Sequence, residues 1–122
     1  MGFIRFEELR VFQLAEELSD LVWEIVLSWD YFAKETVGKQ LVKAADSIGA
    51  NIAEGAGRGA PKENQRFVRI SRGSLNETKF WLRRALKRDL IRSDQLEQLQ
   101  IIMGELAPSL NAYLNSIGRG KA

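Results

Sequence analysis

The 122-residue sequence predicts an all-α protein, an antiparallel four-helix bundle with up-down-up-down connections. Apolar residues recur at steps of three and four through four long segments, which is helical periodicity. The connections between these segments are short, and glycine and proline mark the one between the second and third segments. Hydrophobic residues make up 45% of the chain and charged residues 28%, which suits one folded domain spanning residues 1–122.

The first helix is expected over about residues 7–29. Phe12, Trp23 and Leu27 fall on a different side of it from the core stripe, as a second apolar patch of the kind that contacts another subunit. The segment from Asp30 to Phe32 breaks the pattern. The core stripe consists of Val11, Ala15, Leu18, Val22, Ile25 and Trp29.

The second helix is expected over about residues 33–58. Ala45, Gly49 and Ala56 form a face of small residues, where a neighbouring helix can approach closely. Glycines at 55, 57 and 59 weaken the end of this helix, and Pro61 suits the first turn of the next. The core stripe consists of Val37, Leu41, Ala44, Ile48 and Ile52.

The third and fourth helices are expected over about residues 62–89 and 94–117, with Ser93 or Asp94 as the N-cap of the fourth. Pro108 removes a backbone donor and crowds the carbonyl of Gly104, so we expect a kink or break there. On the fourth helix the apolar seam is Leu96, Leu99, Met103, Leu106, Leu110, Tyr113 and Ile117. On the third helix the inward residues are Phe67, Ile70, Ser71, Ser74, Leu75, Thr78, Trp81, Leu82, Ala85 and Leu86.

Composition excludes most familiar catalytic and metal chemistry. The chain has no cysteine and no histidine, which removes thiolate nucleophiles, the commonest general base and the commonest metal ligands. No apolar run reaches the roughly 18 residues of a spanning helix, and residues 1–10 lack a signal-peptide core. We therefore expect a cytoplasmic protein that is not an enzyme, with no membrane association, no metal and no cofactor.

Charge is distributed unevenly along the chain. Residues 5–30 carry two basic and seven acidic residues, a net charge of −5, whereas residues 62–89 carry nine basic and three acidic residues, a net charge of +6. Cations on a helix face with an aromatic ring among them suit contact with phosphates and bases. The alternative is a merely solvated face, or one paired with the acidic first helix of the same or another subunit. The predicted nucleic-acid-binding residues are Arg58, Lys62, Arg66, Arg69, Arg72, Lys79, Phe80, Arg83, Arg84 and Lys87.

A polar edge runs beside the core stripe of the second helix. Ser47, Asn51 and Glu54 are spaced four and three residues apart, and Ser74 with Glu77 repeats the spacing on the third helix. We interpret the five as one structural interhelical network, because buried polar groups normally have partners. The alternative is a carboxylate pair for acid/base or metal chemistry, although carboxylate bundles also require Glu-x-x-His motifs. The glycine-rich run over residues 53–62 lacks the P-loop spacing and is interpreted as a helix end.

The run QLVKAADSIGANIAEGAGRG, followed by ENQRFVRISRGSLNET, contains the pattern Q, A-x-S-I-x-x-N-I-A-E-G, then F-x-x-x-A-x-G-S-x-x-E. Ser71 stands where alanine is usual, and Pro108 also departs from the pattern. The pattern resembles that of the bacterial four-helix-bundle proteins first described as encoded in 23S rRNA intervening sequences. That family also includes the accessory variability determinants of diversity-generating retroelements. In this chain the residues that match the pattern are Gln40, Ala45, Ser47, Ile48, Asn51, Ile52, Ala53, Glu54, Gly55, Phe67, Gly73, Ser74 and Glu77.

The resemblance implies an antiparallel bundle that assembles as a ring-like homopentamer. Members of the retroelement branch resemble nucleic-acid-binding chaperones, whose basic surfaces contact RNA or DNA and whose ring docks on a reverse transcriptase. The leading hypothesis is thus a non-enzymatic homo-oligomer that binds nucleic acid through its third helix. The alternative is a structural or protein-interaction module that binds no nucleic acid.

Overall fold

Apolar stripes on four long helices meet in one core within residues 5–119, the part of the chain described by this computed structural model. Helix α1 is Arg10–Leu27, preceded by a 3₁₀ turn at Phe6–Glu8. Helix α2 consists of Tyr31–Ala33, a π-helical segment Lys34–Gly38 and Lys39–Ala56. Helices α3 and α4 are Pro61–Lys87 and Ser93–Ser116.

Each helix contributes side chains that are almost wholly removed from water, among them Leu18, Ile48, Leu75 and Leu106. Helix α1 packs against α2 and α4, and α3 packs against the same two helices. The contact between α2 and α3 is the most extensive. Burying such a side chain contributes about 1.5–3 kcal/mol, so the shared core is the main source of stability. None of the helices formed by residues 5–119 is long and apolar enough to cross a membrane.

Two helix starts differ from the expected positions. Helix α1 begins at Arg10 rather than near residue 7, because Leu9 is extended at the end of the 3₁₀ turn. Helix α2 begins at Tyr31 rather than near residue 33, because Asp30 caps it: the Ala33 N–H donates to Asp30 Oδ1 at 2.9 Å. A segment interpreted as a break in the pattern is thus an N-cap followed by the first helical turn.

Helix ends follow local backbone conformation. Helix α2 ends at Ala56, and Gly59 has φ = 78°, the left-handed conformation expected of the glycine-rich run. Helix α3 ends at Lys87, two residues early, because Asp89 turns left-handed at φ = 60°. Ser93 is the first residue of α4 rather than its cap, and the Arg92 N–H donates to Gln95 Oε1 at 2.9 Å.

The small-residue face of α2 lies against α1, as its lack of bulk predicts. A Cβ placed on Gly49 would lie 3.4 Å from Phe12 Cε1. Phe12 is therefore 9% exposed and also packs edge-on against Phe6, with ring centroids 4.9 Å apart. The predicted second apolar patch of α1 is corrected accordingly: Phe12 belongs to the core, whereas Trp23 and Leu27 are each 55% exposed.

The inward face of α3 also differs from the expected one. Ile70 and Leu86 are 40% and 41% exposed, whereas Asn64 and Val68 are buried. At 100° per residue, Ile70 lies outside the arc that the buried residues occupy and Leu86 lies at its edge, so the buried stripe is narrower than the predicted one. The buried residues follow a single line of threes and fours through Asn64, Val68, Ser71, Leu75, Thr78, Leu82 and Ala85.

Helix α4 continues through Pro108, so the expected break is absent from this part of the described chain. Pro108 and Gly104 are both exposed. Water can therefore hydrate the Gly104 carbonyl that has lost its intrahelical donor. Packing of Leu99, Leu106 and Leu110 holds the helix on both sides of the proline.

Replacing Pro108 by alanine is expected to raise the free energy of unfolding by about 2 kcal/mol, because the substitution restores a helical hydrogen bond and removes the ring. The melting temperature should rise by roughly 8 °C in a thermal unfolding experiment. Gln100→Ala, at an exposed site of the same helix, is the matched control and should change stability by less than about 0.5 kcal/mol. Equal stability of Pro108→Ala and the wild type would contradict this account.

Candidate nucleic-acid interface

The predicted cations of α3 lie on the side of the helix that faces away from the core. At 100° per residue they occupy an arc of roughly 140°, opposite the buried line. Arg84 is half-buried, and the remaining predicted cations of this helix are exposed. Exposure leaves these groups hydrated and positively charged. They form the basic α3 face, which consists of Lys62, Arg66, Arg69, Arg72, Lys79, Arg83, Arg84 and Lys87.

Three of the ten predicted residues are engaged within the protein. The Arg58 guanidinium lies 2.9 Å from Glu54 Oε2, and that of Arg66 lies 3.2 Å from Glu63 Oε1. Arg72 donates to Asn111 Oδ1 of α4 at 3.0 Å. These contacts hold the side chains in place, but exposed ion pairs contribute only about 0–1 kcal/mol and exchange readily with another anion.

Arg58 and Arg66 are brought together by Phe67, although they lie on different elements. Their guanidinium carbons lie 5.0 Å and 4.5 Å from the centroid of the Phe67 ring. The Arg66 hydrogen bond and charge, with a smaller contribution from Arg58, lower the pKa of Glu63. Glu63 therefore stays ionised and offsets part of the positive charge at this end of the face.

Six cations of the basic α3 face form neither an ion pair nor a side-chain hydrogen bond with any residue of the range 5–119. The first and last lie 25 residues apart, about 37 Å along a helix. Lys79, Arg83, Arg84 and Lys87 lie within about the last two and a half turns. At the last of these turns the negative end of the helix dipole also stabilises positive charge. The dipole accounts for part of this clustering, but it acts only on the last turn. The six are Lys62, Arg69, Lys79, Arg83, Arg84 and Lys87.

Phe80 supplies an exposed ring among these cations. It is 51% exposed and packs edge-on against Trp81, with ring centroids 4.9 Å apart. Trp81, expected to point inward, is half-buried and donates from Nε1 to Glu77 Oε2 at 3.4 Å. Trp81 thus braces the Phe80 ring. A braced, exposed ring beside Lys79 and Arg83 is suited to stacking with a nucleobase.

The polar edge of α2 is bonded within its own helix. Ser47 Oγ donates to the Lys43 carbonyl at 2.9 Å, and Asn51 Nδ2 donates to the Ser47 carbonyl at 2.8 Å. Glu54 pairs with Arg58 one turn later. The expected interhelical network is therefore replaced, on this helix, by successive contacts between one turn and the next.

On α3, the residues of the predicted network are also bonded within their own helix. Glu77 accepts from Trp81, and the Ser74 carbonyl accepts from Thr78 Oγ1 at 2.8 Å. Glu54 and Glu77 are both exposed rather than buried between helices. Among residues 5–119 no group of three or more acidic side chains is placed to hold a metal ion.

The polar link between α2 and α3 is made by a residue outside the predicted network. Ser71 Oγ is buried and donates to the Ile48 carbonyl at 2.8 Å. Sequence periodicity placed Ser71 on the inward face but gave no partner for it. The Arg72 contact with Asn111 carries no sequence signal either, because the two residues are 39 positions apart.

A protein-family model described as 23S rRNA-intervening sequence protein matches residues 7–112. The chain belongs to this family. The match spans α1, α2, α3 and most of α4, so membership rests on the whole helical core rather than on the α2 motif alone. The predicted resemblance to this family is confirmed.

Solved structures support the same fold. A protein of unknown function from Bacteroides thetaiotaomicron, assigned to the S23 ribosomal protein family, superposes with a TM-score of 0.75. The two chains are 21% identical, and the match covers 87% of this chain and 99% of the other. At that identity the similarity extends to the fold alone. A comparison with proteins of curated function gives no match.

Proposed function

We propose that this member of the 23S rRNA-intervening sequence protein family is a non-enzymatic, cytoplasmic homo-oligomer that binds nucleic acid through its basic α3 face. Its helices would run antiparallel, and its copies would assemble as a homopentameric ring. The observation that carries the binding proposal is the row of six cations, five exposed and one half-buried, that have neither an ion pair nor a side-chain hydrogen bond in residues 5–119, with the Phe80 ring among them.

RNA is the first polymer to test, because the family's name refers to an intervening sequence of 23S rRNA. The proposal has a second setting, in which the oligomer is an accessory protein of a diversity-generating retroelement and docks on its reverse transcriptase. That setting rests on the resemblance of the α2 and α3 motifs. Both settings require the same contact between the basic α3 face and a phosphate backbone.

Binding to RNA, single-stranded DNA and duplex DNA should weaken steeply as salt is raised. Six phosphate contacts predict a log–log slope of about −4 for single strands and about −5 for a duplex. A fourfold rise from about 50 to 200 mM salt should therefore lower affinity for a single strand roughly 300-fold. Fluorescence anisotropy with labelled oligonucleotides measures this slope. Undetectable binding to all three polymers at 50 mM salt would contradict the proposal.

The alternative function is a protein-interaction module in which the basic α3 face of one copy meets the acidic α1 of another. It is favoured by the opposite net charges of the segments that form these two helices, −5 over residues 5–30 and +6 over residues 62–89. Salt then dissociates the oligomer, because exposed charge pairs are screened. Light scattering across a salt series, with no nucleic acid binding at low salt, would favour the alternative.

A further inference from the structure

A groove between α1 and α2 has an apolar floor and a positively charged rim. Its volume is 440 Å³. Trp23 and Leu27, both 55% exposed, line it together with Val42. The rim carries Lys34, Lys39 and Lys43, and Glu35 is paired with Lys39 at 3.6 Å. We call this surface the lysine-rimmed groove.

A second surface, between α1 and α4, has the opposite charge. Ile101 is 67% exposed and lies with Leu21 beside the carboxylates of Asp20 and Glu24. Glu97 is exposed one helical turn before Ile101 and so lies on the same side of α4. This surface, which we call the acidic ridge, carries one strongly exposed apolar side chain, Ile101, among carboxylates.

The two surfaces are complementary in charge, and both present exposed apolar side chains. In a contact between two copies, Ile101 of one would pack against Trp23, Leu27 and Val42 of the other. Asp20 and Glu24 form no ion pair with another residue in the range 5–119, and the same is true of Lys34 and Lys43. Each set of charges thus lacks a partner that the other can supply.

One molecule cannot make this contact with itself, because the groove and the ridge lie on different sides of α1. A second copy can. We propose that the acidic ridge of one copy docks in the lysine-rimmed groove of another. Joining unlike surfaces in this way produces a heterologous interface, which can close into a ring. Neither surface contains an α3 residue, so the basic α3 face stays accessible in the assembly.

This inference rests on the self-association part of the proposed function and assigns the surfaces responsible for it. It differs from the alternative function, in which α1 would meet α3. The test is therefore the response of the oligomer to charge changes on each of the two surfaces, compared with equal changes on α3.

The experiment uses two charge-reversal variants of exposed residues. The groove variant carries Lys39→Glu and Lys43→Glu, and the ridge variant carries Asp20→Lys and Glu24→Lys. In each variant alone, the groove and the ridge carry charge of the same sign, so self-association should weaken about 10-fold or more. A chain carrying all four substitutions should associate again, because its groove and its ridge once more have opposite charges. Sedimentation at about 50 mM salt measures the masses, and circular dichroism checks the fold.

The matched control is Arg69→Glu with Lys79→Glu, which changes the net charge equally on α3 and should leave the mass unchanged. Wild-type mass for both the groove and ridge variants would overturn this inference while leaving the proposed oligomer in place. Dissociation of each variant without recovery in the chain that carries all four substitutions would also overturn it. A wild-type chain that is monomeric throughout would overturn both the inference and the proposed oligomer, whereas nucleic-acid binding is judged separately by its salt slope.

Discussion

Gly55→Ala is expected to lower the free energy of unfolding by about 2 kcal/mol, even though alanine is the better helix former. A Cβ at this position would lie 2.6 Å from Asn64 Oδ1, 2.8 Å from Phe67 Cβ and 3.1 Å from the Asn64 carbonyl oxygen. The last two atoms cannot move without shifting α3. The added methyl group would therefore separate α2 from α3, the most extensive helix contact in the molecule.

Urea denaturation measures the effect, and Gly104→Ala is the matched control. Nothing lies within 4 Å of a Cβ at Gly104, which is also inside a helix. There the same substitution should raise stability by about 0.5–1 kcal/mol, because alanine loses less conformational entropy on folding. Opposite signs for the two variants are the expected result. A stabilising Gly55→Ala would contradict the close approach of the helices.

Reversing two cations of the basic α3 face, Arg69→Glu with Arg83→Glu, is expected to weaken RNA binding about 100-fold at 50 mM salt. Each lost phosphate contact removes roughly 10-fold at that salt concentration, because fewer counterions are released. The log–log salt slope should fall in magnitude by about 1.5 for the pair. Both side chains are exposed and without an ion-pair partner in residues 5–119, so the fold should be unaffected.

The control is Arg5→Glu with Arg92→Glu, which produces the same net charge from exposed residues outside α3. Its effect on affinity should be small, because charges farther apart than the Debye length, about 14 Å at 50 mM salt, are largely screened. Anisotropy titrations of the two variants side by side distinguish local phosphate contact from general attraction. Equal losses in the two variants would show that no specific face is involved.

Much of the fold could be predicted from periodicity and composition. Alternating steps of three and four indicated the four helices, since a helix with one apolar stripe must bury it against others. The left-handed Gly59 could be predicted from local backbone chemistry. The predicted helix boundaries differ from the observed ones by two or three residues. Helix ends depend on local hydrogen bonds and dihedral angles, as at the Asp30 cap and the left-handed Asp89, and not on the apolar stripe.

The sequence predicted where the candidate interface lies on α3 but not which of its side chains contact other parts of the protein. Nine basic residues on one segment must face water if the opposite side forms the core. Which of them are engaged depends on neighbours distant in sequence, as Arg72 shows through Asn111. Hydrogen-bond partners on the polar edge could not be predicted either. Its side chains bond within their own helix, and Ser71 makes the link between α3 and α2.

The sequence by itself therefore determined four amphipathic helices, a charge difference between α1 and α3, and membership of a family through its α2 and α3 motifs. Tertiary structure decided that Phe12 is core, that Ile70 is exposed, that Gly55 admits no side chain and that α4 continues through Pro108. The physical reason is that periodicity fixes the direction of a side chain on its own helix. What that side chain meets depends on the angle and distance of the next helix, which are set by packing of the whole core.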